Sequence, residues 1–165
     1  MDRLIWLNSL PYDTAKSELT CCCGSVRWVE EMVRLRPFET IEEILQSADQ
    51  VWSHMEREDI LEAFSHHPKI GDIESLRERW TKGEQKGVTS ADEEVLKGLA
   101  LGNLAYESQF GYIFIVCATG KSAQEMLSLL QERLQNDPNR EWAISANEQR
   151  KIIQIRLQKL LALVH

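Results

Sequence analysis

The segment HHPKIGD at 66–72 contains the side chain best suited to proton transfer in this chain. Histidine titrates near neutral pH, so an imidazole can take up or release a proton during a reaction. Pro68 restrains the backbone of the residue before it, which favours His67 over His66 as the side chain aimed into a pocket. The plainer interpretation is that both histidines end a helix, where partial positive charge is favourable. His67 is the first candidate for an active site.

Two further positions carry groups that could act with an imidazole. Glu84 and Gln85 lie between glycines, where a carboxylate could orient a histidine and an amide could bind both donors and acceptors of a ligand. A solvated pair at the start of a helix is the alternative. Arg156 lies close to the apolar face of the last predicted helix. Its guanidinium either reaches out to solvent or is held there to bind a planar anion.

Several common catalytic and cofactor motifs are missing from the sequence. The TGKS at 119–122 ends like a phosphate-binding loop, but Ile115 stands where that motif requires its first glycine. The histidines do not have the spacing of a metalloprotease or a zinc finger. No GxSxG or GxGxxG occurs. Serine-type hydrolysis, zinc catalysis and dinucleotide binding are therefore disfavoured.

Composition limits the class of partner. The chain has 165 residues with 19 basic and 26 acidic side chains, a formal charge of −7. Nucleic acid and anionic membrane surfaces both require a clustered basic face, so neither is expected as a partner. The four cysteines include no CxxC pair, and the sequence has neither a secretory signal nor a long apolar stretch. These features favour a reducing, cytoplasmic setting.

Helical patterns dominate the chain and predict an all-α fold: a single-domain multi-helix bundle over 1–165, with two functional loops and a long C-terminal helix. Capping boxes are predicted where Ser or Thr precedes Glu by three residues, at Thr40, Ser90 and Ser122. The two loops are 66–90 and 110–122. In the second, YIFIVCA at 112–118 has the composition of a strand but no partner strand, so we expect a buried connector or the start of a helix. The predicted helices span 11–23, 25–36, 40–55, 58–67, 90–109, 122–135 and 141–164.

Three segments together resemble a known enzyme family. HPKIGD at 67–72, GEQKG at 83–87 and NLAYESQFGYIFIVCATGKSAQEML at 103–127 are similar to the decarboxylases of 2-oxo-4-hydroxy-4-carboxy-5-ureidoimidazoline (OHCU), which act in urate degradation. The RPF at 36–38 and the IRL at 155–157 also fit. The resemblance implies an all-helical, cofactor-free enzyme, generally a homodimer, that converts a small anionic ureide to (S)-allantoin and carbon dioxide.

The resemblance also implies roles for individual residues. It makes His67 the catalytic acid/base, with Glu84 beside it. It assigns substrate binding to Pro68, Thr81, Gln85, Phe114, Ile115, Val116, Cys117, Ala118 and Arg156. Thr81 stands where the family has serine, and the CCC run at 21–23 is not part of the family pattern. An enzyme acting on a related ureide and a non-catalytic helical module, with HPKIGD as a structural turn, are the alternatives.

Overall fold

Helices make up all the regular secondary structure in the part of the chain that the computed structural model describes, residues 2–67 and 90–162. This confirms the all-α prediction. No helix in these ranges is both long enough and apolar enough to cross a membrane. The helices are α1 (Arg3–Ser9), α2 (Tyr12–Thr20), α3 (Val26–Arg34), α4 (Ile41–Ser53), α5 (Arg57–Ser65), α6 (Ser90–Phe110), α7 (Ala123–Arg133) and α8 (Pro138–Ala162).

The chain divides into two compact units, and both ends of the sequence belong to the first. That unit consists of residues 1–67 and 146–165, and the second is the continuous stretch 68–145. The prediction of a single domain over 1–165 stays a prediction.

Local capping signals place several helix starts. The Thr40 hydroxyl accepts from the backbone N–H of Glu43 at 3.0 Å, and Ser122 and Glu125 bond reciprocally at 3.1 Å. The last helix begins at Pro138, three residues before the predicted start. Asp137 explains the difference, because its carboxylate accepts from two N–H groups of the first turn at 3.0 Å, and proline is well suited to the first helical position.

The core of the first unit is built around α3, which contacts α2, α4 and α5. Two buried tryptophans join elements through indole N–H donors. Trp28 donates to the Ala48 carbonyl at 3.3 Å, and Trp52 donates to the Ala146 carbonyl on α8 at 3.0 Å. The second of these bonds ties α4 to the C-terminal helix, which carries Arg156.

Close packing of α6 against α7 organises the second unit. A Cβ on Gly102 would lie 2.5 Å from Cδ2 of the fully buried Leu130, so any other residue would force that side chain to shift. After α6 the chain runs through 112–118 without helix or strand, and four of these seven residues are buried. This confirms the expectation of a buried connector.

Candidate active site

His67 lies immediately beyond α5, in a position fixed by the last turn of that helix. His66 is the C-terminal cap of α5. The backbone N–H of His67 donates to the carbonyl of the buried Phe64 at 3.1 Å. The side chain is half-buried. The sequence prediction placed His67 inside the helix at its end, whereas α5 stops at Ser65 and leaves the imidazole on a short, anchored extension.

The imidazole of His67 meets a buried amide of α8. Its Nε2 lies 2.6 Å from Oε1 of Gln149, a residue with no exposed surface that is 82 positions later in the chain. An amide oxygen only accepts hydrogen bonds, so Nε2 carries a proton in this arrangement. Sequence reasoning missed Gln149, because a glutamine within a helical pattern looks like an ordinary surface residue.

The turn that follows α2 packs against the C-terminal end of α5, next to His66. A Cβ placed on Gly24 would lie 2.3 Å from Cγ and 2.5 Å from Cβ of His66. Since the His66 Cβ is fixed to its backbone, the approach requires glycine at position 24. The predicted helix over 11–23 ends earlier, at Thr20, and residues 21–25 form this turn.

Arg156 lies two helical turns after Gln149 on α8, on the same face and about 10 Å further along the axis. It is half-buried, and within residues 2–67 and 90–162 its guanidinium makes no hydrogen bond or ion pair. Its charge acts on two thiols of the first unit. Burial raises the pKa of both Cys22 and Cys23 to about 12, and the positive charge of Arg156 opposes that shift. The first unit therefore holds a half-buried cation that no acidic side chain of the described chain neutralises.

The segment Phe114–Ala118, predicted to bind substrate through its backbone, belongs to the second unit. Phe114, Ile115 and Cys117 are buried. Protein donors already use three of its carbonyl groups: Arg133 Nη1 donates to Ile115 at 2.6 Å, and Lys121 donates to Cys117 through Nζ at 2.8 Å and to Ala118 through its backbone N–H at 3.0 Å. The backbone of this segment is thus held in place by hydrogen bonds from Arg133 and Lys121.

A buried polar network supports that segment. Arg133 donates to the Glu141 carboxylate at 2.6 and 2.7 Å and to the Ser145 hydroxyl at 2.9 Å. The Tyr106 hydroxyl also donates to Glu141. Burial, and then the bond to Glu141, raises the pKa of Tyr106 well above its usual range. Nothing in the sequence marked these residues as partners, because each lies on a different helix or a different turn.

Four of the predicted site residues lie outside the described part of the chain: Pro68, Thr81, Glu84 and Gln85. Their roles stay predictions. Of the rest, His67 and Arg156 belong to the first unit and Phe114–Ala118 to the second. Within 2–67 and 90–162, no group of three histidine, cysteine or acidic side chains is placed to hold a metal ion.

Comparison with known proteins identifies the family. The sequence profile of OHCU decarboxylases matches residues 8–158, nearly the whole chain. The chain belongs to the OHCU decarboxylase family. A crystal structure of an OHCU decarboxylase determined in the presence of (S)-allantoin is 35% identical, with a TM-score of 0.74, and the match covers 88% of this chain and 98% of that one. An (S)-allantoin synthase structure, 23% identical with a TM-score of 0.73, shares the fold and covers 96% and 54% of the two chains.

Curated relatives of this OHCU decarboxylase-family chain include longer proteins. The uric acid degradation bifunctional protein TTL of Arabidopsis thaliana is 34% identical over 91% of this chain and 48% of its own length. The 2-oxo-4-hydroxy-4-carboxy-5-ureidoimidazoline decarboxylase of Amia calva is 33% identical over 58% of this chain and 57% of its own. The chain spans about half or less of the length of the bifunctional relatives it matches.

Proposed function

We propose that this chain is a carboxy-lyase that converts OHCU to (S)-allantoin and carbon dioxide in urate degradation. One observation carries the proposal: a single unit holds a half-buried imidazole with a buried partner and, two turns along the same helix, a half-buried guanidinium that no described acidic group neutralises. An imidazole and an unneutralised cation are the two groups that proton transfer on an anionic ureide requires. Family membership supplies the substrate class.

The substrate explains why the reaction would need no cofactor. OHCU has a carboxylate and a hydroxyl on one ring carbon, next to a C=N bond. As the bond to the carboxylate breaks, its electron pair forms a ring C=C bond and moves the C=N pair onto nitrogen, which takes up a proton. Loss of the hydroxyl proton and protonation of the ureido-bearing carbon then give allantoin. Carbon dioxide is exchanged for one proton, and the substrate provides its own electron sink.

In this mechanism His67 takes the hydroxyl proton. The imidazole is half-buried and anchored at the end of α5, so a substrate bound there would meet it in a fixed orientation. Glu84 is expected to hold either this imidazole or the ureido group. Protonation from one face only would give the single (S) enantiomer.

Arg156 is proposed to bind a carbonyl or ureido oxygen of the ring. Binding the carboxylate tightly would stabilise the ground state more than the transition state, because negative charge leaves the carboxylate as the C–C bond breaks. Arg156→Met should therefore raise KM more than it lowers kcat.

The decisive experiment follows carbon dioxide release and the optical activity of the product from freshly generated OHCU. We expect His67→Ala to lower kcat by about 10²–10⁴-fold, the usual contribution of a general acid/base. His66→Ala, which removes the neighbouring exposed imidazole, is the matched control and should retain most of the activity. Wild-type protein that does not exceed the spontaneous rate would refute the proposal and favour a non-catalytic module. Turnover of another ureide alone would favour a related enzyme.

We further propose that the active form is a cytoplasmic homodimer. Leu101 and Leu104 on α6 are 69% and 55% exposed and one turn apart, a pairing of apolar side chains that a second subunit could cover. Sedimentation equilibrium should give twice the 19.1 kDa mass of the chain. A monomer at micromolar concentration would refute this part of the proposal alone.

A further inference from the structure

The amide of Gln149 occupies a position that an apolar side chain would otherwise fill. The residues that follow it at helical spacing on α8 are Ile153, Leu157 and Leu161, all buried and all apolar. Gln149 itself has no exposed surface. Its Nε2 group has no hydrogen-bond acceptor among the described residues. A buried donor without a partner is destabilising, so the stability of the helix does not explain a glutamine at this position.

Among the described residues, the one side-chain hydrogen bond of Gln149 is to the candidate catalytic group. Its Oε1 lies 2.6 Å from Nε2 of His67. In a neutral imidazole one nitrogen carries the proton and the other carries the lone pair. An amide oxygen accepts a hydrogen bond, so this contact stabilises the form of the imidazole that carries its proton on Nε2.

We propose that Gln149 is a positioning residue: it holds the His67 ring in one orientation and keeps a proton on Nε2. The inference rests on the proposed decarboxylase function. An amide suits this role better than a carboxylate. Because it is uncharged, it orients the ring while stabilising the imidazolium form less than a carboxylate would.

Two substitutions separate the acceptor from the shape of the side chain. Gln149→Met keeps the length and removes the acceptor, so kcat should fall by about 10- to 100-fold, as for other residues that orient a catalytic group, while KM changes by less than about threefold. Gln154→Met is the matched control, five residues later on α8. Gln154 donates to the Leu45 carbonyl at 2.8 Å and to Asp49 at 2.9 Å and does not contact His67. The Gln154→Met variant should therefore retain the wild-type kcat.

Gln149→Glu keeps an acceptor oxygen and adds a negative charge. A carboxylate beside an imidazole favours its protonated form, so the acidic limb of the kcat/KM profile should move to higher pH by about one to two units. Above that limb activity should approach the wild-type value, which Gln149→Met should not do at any pH. The other ionisable groups of this region are the same in both variants, so a shift of the pH profile would come from position 149. These groups are Glu62, His66, Cys22, Cys23 and Arg156.

A spectroscopic measurement tests the inference independently of activity. With ¹⁵N-labelled histidine, the nitrogen shifts of the wild-type protein should show His67 protonated on Nε2. In Gln149→Met the two shifts should move toward those of freely exchanging imidazole. A wild-type Nε2 without a proton, Gln149→Met with kcat within about threefold of wild type, or equal losses in Gln149→Met and Gln154→Met would each overturn the inference. Absence of decarboxylase activity in the wild type would instead refute the proposed function, while the nitrogen shifts would still decide the role of Gln149.

Discussion

Replacing Arg133 by methionine removes the centre of the buried network in the second unit. The Arg133 side chain is 7% exposed, and its guanidinium donates to Glu141, to Ser145 and to the Ile115 carbonyl. Methionine fills similar volume but donates nothing. The substitution therefore leaves a fully buried carboxylate without its cation, and the Ile115 carbonyl without its donor.

The expected loss of stability is large for one substitution. Removing one partner of a buried ion pair costs about 3–5 kcal/mol, because the remaining charge is uncompensated. For a chain of this size about 1 kcal/mol corresponds to roughly 2–4 °C, so the melting temperature should fall by about 6–20 °C. Typical domains have a free energy of unfolding of about 5–15 kcal/mol, so the variant should still fold at low temperature.

Urea denaturation of Arg133→Met gives the free energy of unfolding directly. Combining it with Glu141→Gln should recover part of the loss, because a neutral amide replaces the unpaired charge. The control is Arg140→Met, which removes an exposed arginine from the first turn of α8 and should change stability by less than about 0.5 kcal/mol. A loss below about 1 kcal/mol in Arg133→Met, or a double variant less stable than the sum of the two single changes, would refute the reasoning.

Three further outcomes are expected. Gly24→Ala would place a Cβ 2.3–2.7 Å from atoms of the His66 side chain. The free energy of unfolding should therefore fall by about 1–3 kcal/mol, and kcat should fall as well. The control, Thr40→Ala, removes only a helix cap, which costs about 1 kcal/mol of stability, and it should retain kcat. Well below pH 9 the thiols of Cys22 and Cys23 are protonated in both folded and unfolded chains. Because burial raises their folded pKa from 9.0 to about 12, only the unfolded chain ionises between these values, and stability should fall with rising pH by about 1.4 kcal/mol per unit for each thiol. The double Cys→Ala variant should lack this extra slope. Finally, a thiol reagent at neutral pH should modify neither cysteine before unfolding, a result checked by mass spectrometry.

Equal kcat losses in Gly24→Ala and Thr40→Ala would show that global instability, and not displacement of His66, limits the activity. An unchanged alkaline slope in the double Cys→Ala variant would show that these thiols do not contribute to it. Rapid labelling of Cys22 or Cys23 in the folded protein would contradict their burial.

Local signals allowed much of the fold to be predicted. The capping pairs at Thr40 and Ser122 act over three residues, so the sequence contains everything that determines them. The connector at 112–118 was predictable because an apolar run without a partner strand has few stable alternatives. His67 and Arg156 could be chosen as candidates from residue type and local context. His67 is an imidazole restrained by the following proline, and Arg156 is a cation close to the apolar face of a helix.

Long-range pairs were not predictable from one sequence. Gln149 and His67 are 82 residues apart, and Arg133 reaches Ile115 across 18 residues. In a sequence pattern a glutamine or an arginine on a helix is consistent with a solvated surface, because only the tertiary packing determines which face is covered. The start of α8 was predicted at Glu141 from the apolar periodicity that follows it, but the Asp137-Pro138 pair begins the helix three residues earlier.

The first unit combines residues from both ends of the sequence, and this has a consequence for biosynthesis. His67 is made early, and its partner Gln149 follows only after all of 68–145 has been synthesised. On the ribosome the imidazole therefore emerges without the amide that orients it, and the helices of residues 3–65 have to wait for α8 before their core is complete. Contacts of such large sequence separation slow folding. A nascent chain arrested before α8 should thus expose apolar surface and bind chaperones, and release of the last helix should be the step that produces a competent enzyme.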